Sequence, residues 1–266
     1  MSGRFSPVKY ALGIEYSGTA YCGWQRQPHC ESIQQNLETA LGFVADHPVE
    51  LVCAGRTDAG VHAFGQVAHF ESNAERSQRA WLLGANCRLP RDIRLQWVTP
   101  VSDDFHARFS ATARAYRYII LNAEVPSAIF QDRVSWEFRP LDHEAMHECA
   151  QMLVGEHDFS SFRAVGCQAK SARRDLQEIS VVRENQLLYL DIKANAFLYH
   201  MVRNIAGSLI AVGKGEQDLA WFRQMFEACD RNLADVTAPA AGLYFLQAWY
   251  EPQFKLPAST RKPVLF

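Results

Sequence analysis

Two hydrophobic periods follow one another at the start of this chain, and the switch between them limits the fold more than any other feature. From Lys9 to Tyr16, apolar and aromatic residues alternate at Tyr10, Leu12, Ile14 and Tyr16, the period of two that marks a half-buried strand. From Ser32 to Val44 the apolar residues Ile33, Leu37, Ala40, Leu41 and Val44 fall on one helical face, and Ser32 stands where a cap belongs. A strand followed by an amphipathic helix opens a mixed α/β architecture.

The alternation continues along the chain. Short β-rich runs at Glu50–Ala54 and Gln66–Phe70, a helix near Glu75–Cys87 and a strand at Ile93–Val98 complete a first half that ends near Pro100. The second half predicts strands at Ala115–Leu121, Ile179–Arg183, Leu187–Ala194 and Leu243–Tyr250, with helices at Asp142–Leu153, Phe197–Val212 and Asp218–Ala228. The expected architecture is α/β (α+β): two mixed subdomains with antiparallel sheets that face one another across a basic cleft. Their expected bounds are residues 1–104 and 105–251, followed by a tail, residues 252–266, that has no period and is expected to pack loosely or to cross the surface.

Composition narrows the function classes. Hydrophobic residues make up 48% of the 266, a share that suits a folded protein. No apolar run approaches the roughly 20 residues of a membrane span, and the start lacks a signal peptide's apolar core, so the expected location is the cytoplasm. Seven scattered cysteines without a CxxC pair read as reduced thiols, with no metal and no disulfide. A net charge of −2 argues against a polyanionic partner, but the charges are segregated. His106, Arg108, Arg114 and Arg117 form one cluster without an acid, and Arg163, Lys170, Arg173 and Arg174 another, while Asp142, Glu144, Glu148, Glu156 and Asp158 lie elsewhere. Such segregation permits a basic cleft on a slightly acidic protein.

Four motifs carry candidate chemistry. In AGRTDAGVHA, from Ala54 to Ala63, glycines flank Asp58, and Arg56 lies two residues away. Taken alone this is a turn; a guanidinium beside a carboxylate also keeps that carboxylate ionised and available. ARAYRYIIL sets Tyr116 and Tyr118 on one strand face among Arg114 and Arg117, a pattern that suits stacking on a nucleobase as well as a half-buried core strand. KANAFLYHMVRNIAGSL brings Lys193, His200 and Arg203 to an apolar helix, where Arg203 needs an anion and Asp58 is a candidate. His143-Glu144-Ala145-Met146-His147 matches the HExxH zinc pattern, but His143 falls in the first helical turn and no third ligand follows at the usual spacing.

Jointly, these motifs resemble the tRNA pseudouridine synthase A family. The resemblance runs through GIEYSGTAYCGWQRQ from Gly13, AGRTDAGVHA from Ala54, DDFHARFSATARAYRY from Asp103, DFSSFRA from Asp158 and KANAFLYHMVRNIAGSL from Lys193. It implies an enzyme that converts uridine to pseudouridine in the anticodon stem and loop of tRNA, at positions 38, 39 and 40, as a homodimer without metal or organic cofactor. Asp58 is then the nucleophile, Arg56 assists base flipping, Tyr116 contacts the target base and Arg203 pairs with Asp58. The resemblance implies tRNA contact by Phe105, His106, Ala107, Arg108 and Phe109, and by the loop Gly166, Cys167, Gln168, Ala169 and Lys170, with Lys193 and His200 as further candidates. Two rivals make different predictions: a zinc hydrolase built on the HExxH match would be chelator-sensitive, and a noncatalytic tRNA-binding module would be indifferent to Asp58→Ala.

Overall fold

A computed structural model describes residues 7–257. It is a mixed α/β fold that divides into two compact units. One holds the described residues up to Thr112 together with those from Phe245 onward; the other is Ala113–Tyr244.

The first unit is built on β1 (Val8–Tyr16), α1 (Ile33–Ala45), β2 (Val52–Cys53), β3 (His62–Ser72), α2 (Gln78–Arg88) and β4 (Ile93–Pro100). β1 lies between β3 and β4, antiparallel to both, and β2 pairs with β3. The expected cap is present: Ser32 Oγ accepts the Gln35 N–H at 3.3 Å, and α1 ends at Asp46 in the left-handed region, φ 60°. Ile33, Leu37, Ala40 and Leu41 are buried, as their spacing requires. Trp81 of α2 is fully buried against Tyr10 and Phe70, with ring centroids 5.5 and 5.0 Å apart. Truncating Leu37 to alanine in such a core costs about 2–5 kcal/mol.

The second unit comprises most of β5 (Ala111–Asn122), then β6 (Ser135–Glu137), α3 (His143–Gln151), β7 (Gly155–Asp158), β8 (Arg173–Glu184), β9 (Leu187–Ala194), α4 (Met201–Gly213) and α5 (Leu219–Glu227). Its strand order is β5-β9-β8-β7, antiparallel throughout, with β6 added parallel to β5. Asp142 caps α3 by accepting the N–H groups of Glu144 and Ala145, each at 3.0 Å, and Asp218 caps α5 through Trp221 at 2.8 Å. The last strand, β10 (Leu243–Tyr250), returns to the first unit beside β3 from Phe245 onward, a return that element order does not reveal.

The start of the tail has one anchor: Phe254 is 7% exposed and its ring meets Phe105 at 5.1 Å, while Pro252, Gln253, Lys255 and Pro257 are exposed. The part of the tail from residue 258 lies outside the described residues. One expectation needs correction. Cys22 and Cys30, expected as thiols, form a disulfide with Cα atoms 6.2 Å apart. They lie eight positions apart in sequence, but the loop doubles back through a Gln27–Cys30 bridge and a Cys22 N–H to Glu31 O bond of 2.9 Å. Among the described residues no helix is long and apolar enough to cross a membrane.

Candidate active-site residues

In the first unit, Asp58 sits on a loop fixed at every turn. Ala54 N–H reaches Val67 O at 2.7 Å where the loop leaves β2, and Gln66 Nε2 holds Gly55 O at 2.7 Å. Thr57 is buried; the backbone N–H of Trp24 donates to its carbonyl at 2.9 Å, and its hydroxyl is 2.7 Å from that of Tyr16. Asp58 then opens a β-turn closed by Val61 N–H to Asp58 O, 3.2 Å, with Gly60 at φ 78°. A type II turn demands a positive φ at that position, and glycine supplies it without strain. The carboxylate is half-buried and Arg56 is exposed.

The electrostatics of this floor are those of a dry support. Burial pushes the Tyr16 phenol well above its ordinary value, outweighing its hydrogen bonds to Thr57 and Gln66. Burial likewise raises the Cys53 thiol to about 12, against the opposing pull of Arg56. Neither group ionises near neutrality, so both serve as neutral supports.

The Phe105–Phe109 segment lies in the same unit. Phe105 and Ala107 are fully buried, while Arg108 and Phe109 face solvent. A cavity of about 540 Å³ in this unit, walled by Gly13, Glu15, Phe64, Trp97, Trp249 and Lys255, contains none of the candidate catalytic or RNA-binding residues.

The second unit carries Tyr116 and Arg203. Tyr116, on β5 opposite Ile192 of β9, is 8% exposed and meets Phe197 edge to face at 4.9 Å. Tyr118, two residues on, is fully buried and donates its hydroxyl to Pro239 O at 2.9 Å. Arg203 of α4 is half-buried, donates Nε to Ala238 O at 2.8 Å, and lies near enough to Tyr118 to lower its phenol, which burial otherwise pushes high. His200 precedes α4 in the left-handed region, φ 59°, with its ring 3.9 Å from that of Tyr199.

The loop Gly166–Lys170 is held by Arg163, whose Nη2 donates to Cys167 O at 3.0 Å and Ala169 O at 2.8 Å. Burial raises the Cys167 thiol, but the Tyr199 and Ala169 N–H groups and the Arg163 guanidinium outweigh it and leave the thiol below its ordinary value. Gln168 and Lys170 are exposed.

Three charge readings change. Arg117 does not join the Tyr116 face; it forms a two-point ion pair with Asp191, 2.6 and 2.7 Å, on the other side of the sheet. Lys193, paired in register with Ala115, shares that other face and meets Glu178 at 3.1 Å. Acid and base are less segregated than the sequence implied, because Glu156 pairs with Arg173 at 3.1 Å between β7 and β8. In the HExxH match, His147 Nδ1 accepts the Val181 N–H at 3.2 Å, and among the described residues no three His, Cys, Asp or Glu side chains are grouped to hold a metal.

Sequence reasoning overlooked the supports: Tyr16, Trp24 and Gln66 under Asp58, and Arg163 under the second loop. Gln66, a polar residue beside the apolar pair Val67 and Ala68, was the available signal.

Asp58 thus stands on a braced glycine turn of the first unit, and Tyr116 and Arg203 lie on a strand and a helix of the second. The model of the tRNA pseudouridine synthase family matches residues 13–110 and 149–251. The chain is 58% identical over 247 residues to tRNA pseudouridine synthase A of Hydrogenovibrio crunogenus, covering 93% of this chain and 94% of that one. It is 54% identical to the Vibrio atlanticus protein of the same name over 97% of this chain and 96% of that one, and 52% identical to the Photobacterium profundum protein over 97% and 98%. A solved Cbf5-Nop10-Gar1 complex aligns over 89% of this chain and 48% of that chain at 11% identity with a TM-score of 0.35, a likeness too slight to bear on the site.

The chain belongs to the tRNA pseudouridine synthase A family. It is an isomerase that forms pseudouridine in tRNA.

Proposed function

We propose that this enzyme isomerises uridines in the anticodon stem and loop of tRNA, and that Asp58 is the carboxylate that acts on the target nucleotide. The observation that carries this is the mounting of Asp58: a half-buried acid at the head of a turn whose preceding residue is clamped by Tyr16 and Trp24. A side chain on so rigid a base is preorganised for chemistry, not merely for a bend in the chain.

The reaction breaks the N1–C1′ bond of uridine, turns the freed uracil, joins C5 to C1′ and releases the C5 proton. A stacked base permits none of this, so the nucleotide is extruded at a cost of a few kcal/mol. Arg56, exposed beside Asp58, assists that extrusion. Asp58 works ionised whether it attacks C1′, attacks C6 or removes a ribose proton, and Arg203 is the cation that favours the charged form. Tyr116 contacts the uracil. No second acid is needed to protonate a departing group, because the base is kept and reused.

The Phe105–Phe109 turn, through its exposed Arg108 and Phe109, binds the RNA together with Gly166–Lys170, Lys193 and His200. The enzyme works in the cytoplasm as a homodimer, without metal or organic cofactor. Incubating an unmodified tRNA transcript with the protein and mapping pseudouridine by carbodiimide labelling and primer extension tests the assignment. The expected marks fall only in the anticodon stem and loop; marks elsewhere, or none, contradict it.

A further inference from the structure

Two imidazoles lie beneath the exposed end of the Phe105–Phe109 turn. His69, on β3 and 7% exposed, accepts the Ala107 N–H at its Nδ1, 3.1 Å, and is also hydrogen-bonded to the Val52 backbone. The His106 ring sits 4.8 Å from it and accepts two N–H groups at Nδ1, from Arg108 at 3.2 Å and Phe109 at 3.1 Å. An Nδ1 that accepts carries no proton, so both rings are neutral with the hydrogen on Nε2. Burial favours that state, lowering His69 to about 4 and His106 below its ordinary value.

The surrounding contacts leave little freedom. Tyr250 OH donates to Ala107 O at 2.7 Å, and the Lys9 ammonium donates to Phe105 O at 3.2 Å. What remains outside is Phe109, 75% exposed, stacked on His106 with centroids 4.3 Å apart and with the Arg108 guanidinium 5.5 Å from its ring. An apolar ring held in water beside a cation is a platform for an unpaired nucleobase and its phosphate.

We infer that His69 is a positioning residue for RNA binding: through Ala107 and His106 it sets the Phe109–Arg108 platform, which takes an unpaired base on Phe109 and a phosphate on Arg108. The inference rests on the reading of Phe105–Phe109 as an RNA contact. Nothing in it requires His69 to touch substrate. Its nitrogen acts on the backbone of the turn, and the turn acts on the RNA.

Steady-state kinetics of the full-length protein on a tRNA transcript test this. His69→Leu removes the acceptor, His69→Asn places a carboxamide oxygen near the position of Nδ1, and His69→Gln sets its polar atoms further out. The expected result for His69→Leu is a KM for tRNA raised about tenfold, the effect of one lost buried hydrogen bond, with kcat within about twofold. His69→Asn stays within about threefold of the wild-type KM and His69→Gln does not; this pair decides the matter if His69→Leu fails to fold. Phe109→Ala raises KM at least as far. If Phe109→Ala and Arg108→Ala leave KM unchanged, the RNA-contact reading fails and the inference with it. If they raise KM while the His69 variants do not, or if Asn and Gln behave alike, the positioning role alone is overturned.

Discussion

Gly23 packs against the backbone of Thr57 and Asp58, and its replacement by alanine gives a worked test of how the loop is braced. A Cβ built there stands 2.6 Å from Thr57 O and 2.8 Å from the Asp58 carbonyl carbon, both backbone atoms that no side-chain rotation moves aside. Carbon contacts are comfortable at about 3.5 Å, so the loop must retreat by roughly 0.7 Å. Gly23 also lies at φ 93°, where an L-residue pays about 1–2 kcal/mol. Strain of that size leaves a protein this large folded. The displacement falls on the residue that presents the carboxylate, where an error of about 1 Å costs up to about 100-fold in rate. Gly23→Ala is therefore expected to lose about 10- to 100-fold in kcat, with its affinity for tRNA within about threefold of wild type. Single-turnover pseudouridine formation, filter binding and thermal unfolding separate these effects. A folded Gly23→Ala enzyme with wild-type kcat would refute the bracing argument.

Two further outcomes follow from the first unit. Unfolded His69 takes up a proton near pH 6.5 and folded His69 only near 4, chiefly because it is buried and secondarily because His106 and Lys9 lie close. Acid thus favours the unfolded chain: this group's contribution is intact above about pH 6.5 and is lost as the pH falls towards 4. Urea midpoints measured across that range should fall less steeply in His69→Asn than in wild type, and equal slopes would contradict the burial of the neutral ring. The Cys22–Cys30 link predicts five titratable thiols in denatured, unreduced protein and all seven after reduction. Closing so short a loop is worth about 2.5 kcal/mol, so reductant should lower the melting temperature. Seven thiols without reductant would show the pair to be open.

The elements legible in the sequence were those with a strong period and a cap. β1, α1 and β10 lie where their patterns and Ser32 put them, because burial on one face and a local hydrogen bond are both written in adjacent residues. α4 starts later than expected, since Phe197 and Leu198 are irregular and Met201 N–H closes a turn on Leu198 O with His200 in the left-handed region, a choice made by packing rather than propensity. β6 and β7 escaped notice for a different reason. Three and four residues long, the latter reading Gly-Glu-His-Asp, they have no room to display a period and gain their pairing only from β5 and β8.

The residues proposed for chemistry stood out because glycine, aspartate and arginine are conspicuous in short motifs. Their supports did not, since Tyr16 and Gln66 look like any strand residue until Thr57 and Gly55 are folded onto them. Arg117 misled for the same reason in reverse: its charge is visible in the sequence, and its partner Asp191 lies 74 residues away. Charge clusters read from composition carry no information about such pairings.

If Asp58 performs the chemistry, tritium release from tRNA bearing 5-tritiated uridine, read together with the pseudouridine formed, measures it directly, because the C5 proton is lost when C5 is joined to C1′. Wild-type enzyme is predicted to release the label, and Asp58→Asn, equal in size and still able to bind tRNA, to release none above background. Release by Asp58→Asn at the wild-type rate would contradict the account.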